Sequence, residues 1–260
     1  MNKLCAVLAF GVVLPAVHAV DFGHWRGPDM NGVFASRNLP AEWSPEGENL
    51  KWAVPVGSRS APLVMDGHVY LINRVGAGAT LQERVVALDF ETGRPVWEHR
   101  FNVFLTDVVS LRVGWANLAG DPATGLIYAH GVQGSFFCFD RDGRMVWSRS
   151  LTEELGRISG YGGRTHSPIV AGDLVLISFL NSSWGPQGKG AHRFLALNKF
   201  NGEMVWWSDP GDTPLDTTYA TPVLAEIDGE PLLFTGLADG AVIAMNAATG
   251  LRRWSVPLSK

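Results

Sequence analysis

Six histidines follow the first nineteen residues: His24, His68, His99, His130, His166 and His192. Imidazoles bind metal or move protons when two or more reach one site. No two of these stand three to five residues apart, the spacing that puts a pair on one zinc ion. No Gly-x-Ser-x-Gly elbow is present to expose a nucleophilic serine. Asp121, Asp212 and Asp216 read as loop residues and match no EF-hand order. Glu153-Glu154 reads as a solvated pair rather than a catalytic dyad. Gly160, Gly162 and Gly163 flank Tyr161 and shape a turn, with no phosphate-binding pattern. These residues name no reaction, so the question moves to the elements that would bring side chains together.

The elements repeat, and internal repetition decides an architecture. Four segments align: Ala87–Trp97, Cys138–Trp147, Ala196–Trp206 and Ala244–Trp254. Each begins with a small residue, passes an Asp or Asn and a Gly, and ends in Trp. The second is one residue short. Leu50-Lys51-Trp52 is a partial fifth echo. The tryptophans at 52, 97, 147, 206 and 254 are 45, 50, 59 and 48 residues apart. The long gap holds Asn181 to Gly190, a Ser/Gly/Pro-rich insertion that reads as a surface loop around Trp184.

Each copy reads as a hairpin. Apolar residues such as Val85-Val86-Ala87-Leu88 form one strand. Asp89, Asn198 or Asn246 bonds turn amides. Gly93, Gly143, Gly202 and Gly250 supply the positive φ of the turn. The small Ala87, Ala196 and Ala244 leave room for a large neighbour. Two strands precede each hairpin: 60–64 then 69–72, 166–170 then 174–177, and 220–224 then 232–234. In the second unit Gly120 takes the position that Pro62, Pro168 and Pro222 hold elsewhere. Four short strands per period of roughly 45–50 residues make a propeller blade. The fold class is therefore all-β: a β-propeller of four-stranded antiparallel blades, about four of them.

Composition agrees with a folded β protein. Glycine is 30 and tryptophan 10 of 260 residues, and 46% of the chain is hydrophobic against 18% charged, unlike a disordered chain. The formal net charge of −4 argues against nucleic-acid binding. Residues 1–19 read as a secretory signal peptide: Lys3, an apolar run from Leu4 to Val13, Pro15, and a cut after Ala19. Residues 20–49 form an N-terminal extension and 50–260 the repeats. No apolar run in the mature chain is long enough to span a bilayer. Removal of Cys5 leaves Cys138 alone, so no intrachain disulfide forms and the thiol is expected to be buried.

The pattern Ala-x-Asp-x-x-Thr-Gly-x-x-x-Trp, complete in Ala87–Trp97, resembles the tryptophan-docking repeat of pyrroloquinoline-quinone-type propellers. The match covers about residues 50–257. Trp25-Arg26-Gly27-Pro28, Asn31-Gly32, Leu39-Pro40, Trp43 and Leu50-Lys51-Trp52 resemble the start of exported bacterial propellers of this class, which are similar to the propeller lipoprotein of the outer-membrane assembly machine. The resemblance implies that Trp97, Trp147, Trp206 and Trp254 dock between adjacent blades. It also speaks against the cofactor in the repeat's name. Quinone dehydrogenases of this class cover the ring with two adjacent, disulfide-linked cysteines and use about eight blades. This chain has no adjacent cysteine pair and about four blades. Neither quinone nor metal is expected to bind.

Relatives of the repeat have seven or eight blades. Either this chain is part of a larger ring, or another chain supplies the missing blades, or four close unusually. The first strand of each blade lines a propeller's channel. Arg59, Asn117, Arg164, His166 and Tyr219 lie at the starts of those strands. Converging there, they could hold an anion or a peptide carboxylate, or bond to one another and to water. The leading reading is an exported, non-enzymatic scaffold that binds a protein or peptide in cell-envelope assembly. A quinone-dependent dehydrogenase is the alternative, and a carbohydrate-binding propeller using Trp184 is a second.

Overall fold

The computed structural model of the chain describes residues 21–104, 110–156, 165–181, 190–218 and 220–259. Sixteen strands form four antiparallel four-stranded sheets in simple up-and-down order. The first blade holds β1 (Leu63–Met65), β2 (His68–Val75), β3 (Gln82–Asp89) and β4 (Pro95–Asn102). The second holds β5 (Ala119–Asp121), β6 (Leu126–His130), β7 (Ser135–Phe139) and β8 (Met145–Ser150). The third holds β9 (Ile169–Ala171), β10 (Leu174–Asn181), β11 (Ala191–Asn198) and β12 (Met204–Ser208). The fourth holds β13 (Val223–Ile227), β14 (Glu230–Gly236), β15 (Ala241–Asn246) and β16 (Arg252–Pro257). One helical turn, α1 (Leu151–Leu155), follows the second blade.

The repeat motif builds the same local geometry in every blade. The Asx side chain closes the hairpin turn. Asp89 Oδ1 accepts the Thr92 amide at 2.7 Å and its hydroxyl at 2.6 Å. Asn246 Oδ1 does the same with the Thr249 amide and hydroxyl. The small residue then stands directly across from the tryptophan: Ala87 faces Trp97, Cys138 faces Trp147, Ala196 faces Trp206 and Ala244 faces Trp254. A register shift follows that residue in all four blades. Such a shift bends the strand and increases its twist. With no bulk at the small residue, the indole reaches over it toward the next strand inward, where Trp97 meets Tyr70 and Trp147 meets Tyr128.

The hydrophobic core lies between blades rather than at one centre. Leu63, Tyr70, Ile72 and Val85 of the first blade pack with Ile127, Ala129 and Phe139 of the second. Tyr128, Phe136 and Trp147 pack with Val175, Phe179 and Leu195 of the third. Ile169, Leu176 and Phe194 pack with Leu233, Ile243 and Met245 of the fourth.

Each tryptophan also docks on the next blade's turn. The indole N–H of Trp97 donates to Arg141 O at 2.9 Å, that of Trp147 to Lys199 O at 3.0 Å, and that of Trp206 to Ala247 O at 3.2 Å. The rings lie against Gly143, Gly202 and Gly250, which have φ of 82°, 74° and 72°. A β-carbon on any of them would enter the indole as well as strain the backbone. Trp52 completes the series from outside any blade. It donates to Phe90 O at 2.8 Å and lies on Gly93, so residues 52–56 cover the free face of the first blade. Trp254 has no such turn beneath it among the described residues. It sits beside Phe234 of its own blade and is 42% exposed.

The N-terminal extension crosses the inner strands. Phe22 pairs with Val64 of β1. Gly23 O accepts the Gly120 amide of β5 at 2.8 Å. Met30 packs with the core between the third and fourth blades. Arg26 Nη2 donates to Thr221 O at 2.8 Å and Pro222 O at 3.0 Å, just before β13. A β-carbon on Gly23 would stand 2.0 Å from Gly120 O, so the approach of the two backbones requires glycine there. The register corrects the sequence alignment of the second unit: Leu63, Ala119, Ile169 and Val223 stand opposite Tyr70, Tyr128, Leu176 and Phe234, so Leu118, not Gly120, holds the position of Pro62, Pro168 and Pro222.

Candidate functional site

The residues expected to line the channel do different things. Asn117 is a joint between blades. Its Oδ1 accepts the Ala61 amide at 2.7 Å, while its own amide and its Nδ2 donate to Ser167 Oγ at 2.9 and 3.1 Å. One side chain thus ties the starts of β1, β5 and β9. Arg164 and Tyr219 lie outside the described residues, as do Trp184 and the turn around Tyr161.

His166 is buried and stacks on His192, with ring centroids 5.6 Å apart. His130 is buried beside them, its Nδ1 3.0 Å from His166 O. His192 Nδ1 accepts the Ala238 amide at 3.3 Å, which links the third blade to the fourth. Burial lowers the pKa of His130 and His192 to about 4. Burial, then repulsion by His192 and His130, lowers that of His166 to about 3. These rings are neutral joints at physiological pH. Among the described residues no group of three or more His, Cys, Asp or Glu side chains is arranged to hold a metal ion.

Arg59 stands apart from this belt. The turn that carries it is pinned at three points: Asn73 Nδ2 donates to Gly57 O at 2.8 Å, and Ser58 and Ser60 hydroxyls donate to Ile72 O at 2.7 and 3.0 Å. Beside the turn opens a cleft of 440 Å³ whose walls include Arg59, Arg74, Arg84, Pro55 and Val113. Arg84 is held in place, its Nε donating to Asn73 Oδ1 at 3.1 Å and its Nη1 to Glu98 at 3.0 Å. Glu98 also binds Arg100. No hydrogen bond or ion pair engages Arg59 or Arg74 among the described residues. Three arginines therefore line a cleft that no acidic residue lines. Among the described residues, Arg59 is thus an expected channel residue that lines open space with its charge unpaired.

Two buried ionisable groups, Glu83 and Lys199, were missed in the sequence. Glu83 is 1% exposed, accepts the Gly114 and Val132 amides at 2.8 Å each, and joins the first blade to the second. Burial outweighs those bonds and raises its pKa to about 7. The alternation of Glu83, Val85 and Ala87 along β3 places all three on one face, the signal that pointed to it. Lys199 Nζ bonds Asp121 Oδ2 and Gly172 O at 2.8 Å each. Burial opposes the charge on Asp121, but bonds from Lys199, Thr124 and the Ala123 amide outweigh it and lower its pKa. Asp121 ends β5 rather than sitting free in a loop. His24, within the extension, is buried, and burial plus the Arg26 charge lower its pKa to about 4.

Cys138 is fully buried in β7, opposite Trp147 and 3.9 Å from Lys199 O. A thiol there cannot cover a planar ring in the channel. Residues 22–26 already run across the inner strands.

Residues 82–260 match a family described as outer membrane protein assembly factor BamB. The chain is 26% identical over 208 residues to a protein of that name from Bordetella pertussis, covering 78% of this chain and 43% of the relative. It is 21% identical over 213 residues to one from Burkholderia pseudomallei, covering 80% and 45%. The chain thus spans less than half the length of these curated relatives. Among solved structures it is similar to quinohemoprotein alcohol dehydrogenase from Comamonas testosteroni, with 17% identity, a TM-score of 0.51, and coverage of 77% of this chain and 35% of that one. At that identity the likeness concerns the fold.

Proposed function

We propose a function on the premise that the chain belongs to the family described as outer membrane protein assembly factor BamB. The chain acts as a cell-envelope scaffold that holds protein partners while outer-membrane proteins are assembled. The observation that carries this reading is the extent of the match: residues 82–260 include all four docked hairpins. The geometry supports it, because the tryptophan joints and the Asn117 bridge make a rigid frame on which loops and clefts can present contacts.

The leader at residues 1–19 directs the chain to the periplasm, and the mature protein begins near Val20. No helix among the described residues is long and apolar enough to cross a membrane. In this reading the chain is not a quinone enzyme. The buried position of Cys138 and the occupied inner strands favour that view.

The test is genetic and direct. A strain lacking the gene is compared with its parent for the amounts of folded outer-membrane proteins. The expected result is a reduction restored by the intact gene. Unchanged amounts would overturn the scaffold reading.

A further inference from the structure

We propose that the Arg59–Arg74–Arg84 cleft at the edge of the first blade binds the carboxylates of an acidic polypeptide segment. This deepens the scaffold reading and rests on it. Arg59, Arg74 and Arg84 line the cleft in a chain whose formal charge is −4. Arg84 is paired with Glu98, which leaves Arg59 and Arg74 as like charges along one cleft that an anion would offset. Glu98 is shared between Arg84 and Arg100. Glu83, across from Arg74 in the ladder, is taken up by two backbone amides.

The arrangement is also held ready. Asn73 is buried and bonds both the backbone of the turn before Arg59 and the guanidinium of Arg84. The backbone of the turn and the Arg84 guanidinium therefore keep their relative positions without a ligand, which lowers the ordering cost of binding. Arg59 and Arg74 keep their donor forks free. A guanidinium fork matches the two oxygens of a carboxylate and binds them in parallel. Its volume of 440 Å³ admits a few residues of chain rather than a lone ion. Pro55, Val75 and Val113 give it an apolar wall for the aliphatic stems that carry side-chain carboxylates.

Calorimetry on the full chain tests the assignment. The probe is a short acetylated peptide with one glutamate and a free C-terminal carboxylate. Its amidated glutamine counterpart and inorganic phosphate are the comparison arms. The double variant Arg59→Gln/Arg74→Gln removes the free forks and no bond seen in the structure, so its melting temperature should match the parent. Binding of the acidic peptide should weaken at least about tenfold in the variant, and should weaken with added salt. The amidated peptide should not bind measurably. Equal binding of the amidated peptide, or unchanged affinity in a folded double variant, overturns the proposal. Phosphate binding as tight as the peptide's would also overturn it and make the cleft a phosphate site. None of these results alters outer-membrane protein amounts in a strain lacking the gene, so the cleft and the scaffold reading fail separately.

Discussion

The indole of Trp147 lies flat against Gly202, so close that a β-carbon on Gly202 would stand 2.8 Å from Trp147 Cδ2. The tryptophan ends the second blade and the glycine turns the hairpin of the third. The contact requires both: an aromatic plate long enough to cross the gap, and a turn residue with neither side chain nor negative φ. The same pairing joins Trp52 to Gly93, Trp97 to Gly143 and Trp206 to Gly250.

Trp147→Ala should therefore destabilise the chain by about 3–5 kcal/mol, as other buried aromatic truncations do. Trp254→Ala, at an exposed copy of the same motif, should cost less than about 1 kcal/mol in this chain. Denaturant melts of the two variants check the difference. Equal losses would mean that docking on the next blade is not what the motif contributes.

Gly202→Ala should destabilise despite adding a single methyl group. The left-handed backbone alone costs about 1–2 kcal/mol for a residue with a β-carbon, and the indole must also move. Gly67→Ala has the same φ sign, 70°, but open space around it. It should lose only the backbone part. Thermal melts of both variants separate strain from the lost docking contact.

Stability should rise with pH between about 4 and 6.5. His24, His130 and His192 have folded-state pKa values near 4 and His166 near 3, against 6.5 when exposed. Below pH 6.5 the unfolded chain takes up protons that the folded chain refuses, so acid favours unfolding. Asp121 acts in the same direction at lower pH: its pKa is lowered from 3.8, so its contribution is present above that pH and disappears as stronger acid protonates it. Urea titrations across this range check the slope. A flat profile would show that the histidines are solvated.

Glu83 should oppose that trend. Its folded-state pKa near 7 exceeds the ordinary 4.5, so the folded chain holds its proton more tightly. Its contribution is fully present below pH 4.5 and is lost as pH rises through 7. Glu83→Gln should remove this loss, making the net rise of stability between pH 4.5 and 7 steeper than in the parent. An unchanged slope would place the carboxylate in contact with water.

Lys199→Met should cost about 3–5 kcal/mol, because it leaves Asp121 charged and unpaired in a buried position. Changing both, Lys199→Met with Asp121→Asn, should recover part of that loss. A double-mutant cycle measures the recovery, and strictly additive losses would show that the two groups do not interact.

The blade was legible in the sequence because everything that makes one is local. A small residue, an Asx, a glycine and a tryptophan lie within eleven positions, and each acts on a turn or strand that it belongs to. Repetition then announced four copies. Even Trp52, with no blade of its own, carried the signal as a partial echo. The site was legible only in part. Arg59 was found from its place before a first strand. Its companions Arg74 and Arg84 sit in β2 and β3, where an arginine on a strand face looks like any other.

What the sequence determined by itself was the set of four hairpins and the residues that would join them, since period and turn chemistry are fixed by neighbours in the chain. What tertiary structure alone decided was how the ends and the polar groups were used. Arg26 meets Thr221 across 195 positions, and the extension becomes a strap over the inner strands. Three histidines separated along the chain become one buried cluster. Trp254, which ends the same length of motif as Trp206, stays exposed. No local pattern encodes these outcomes, because they depend on which surface the folded blades bring to face each residue.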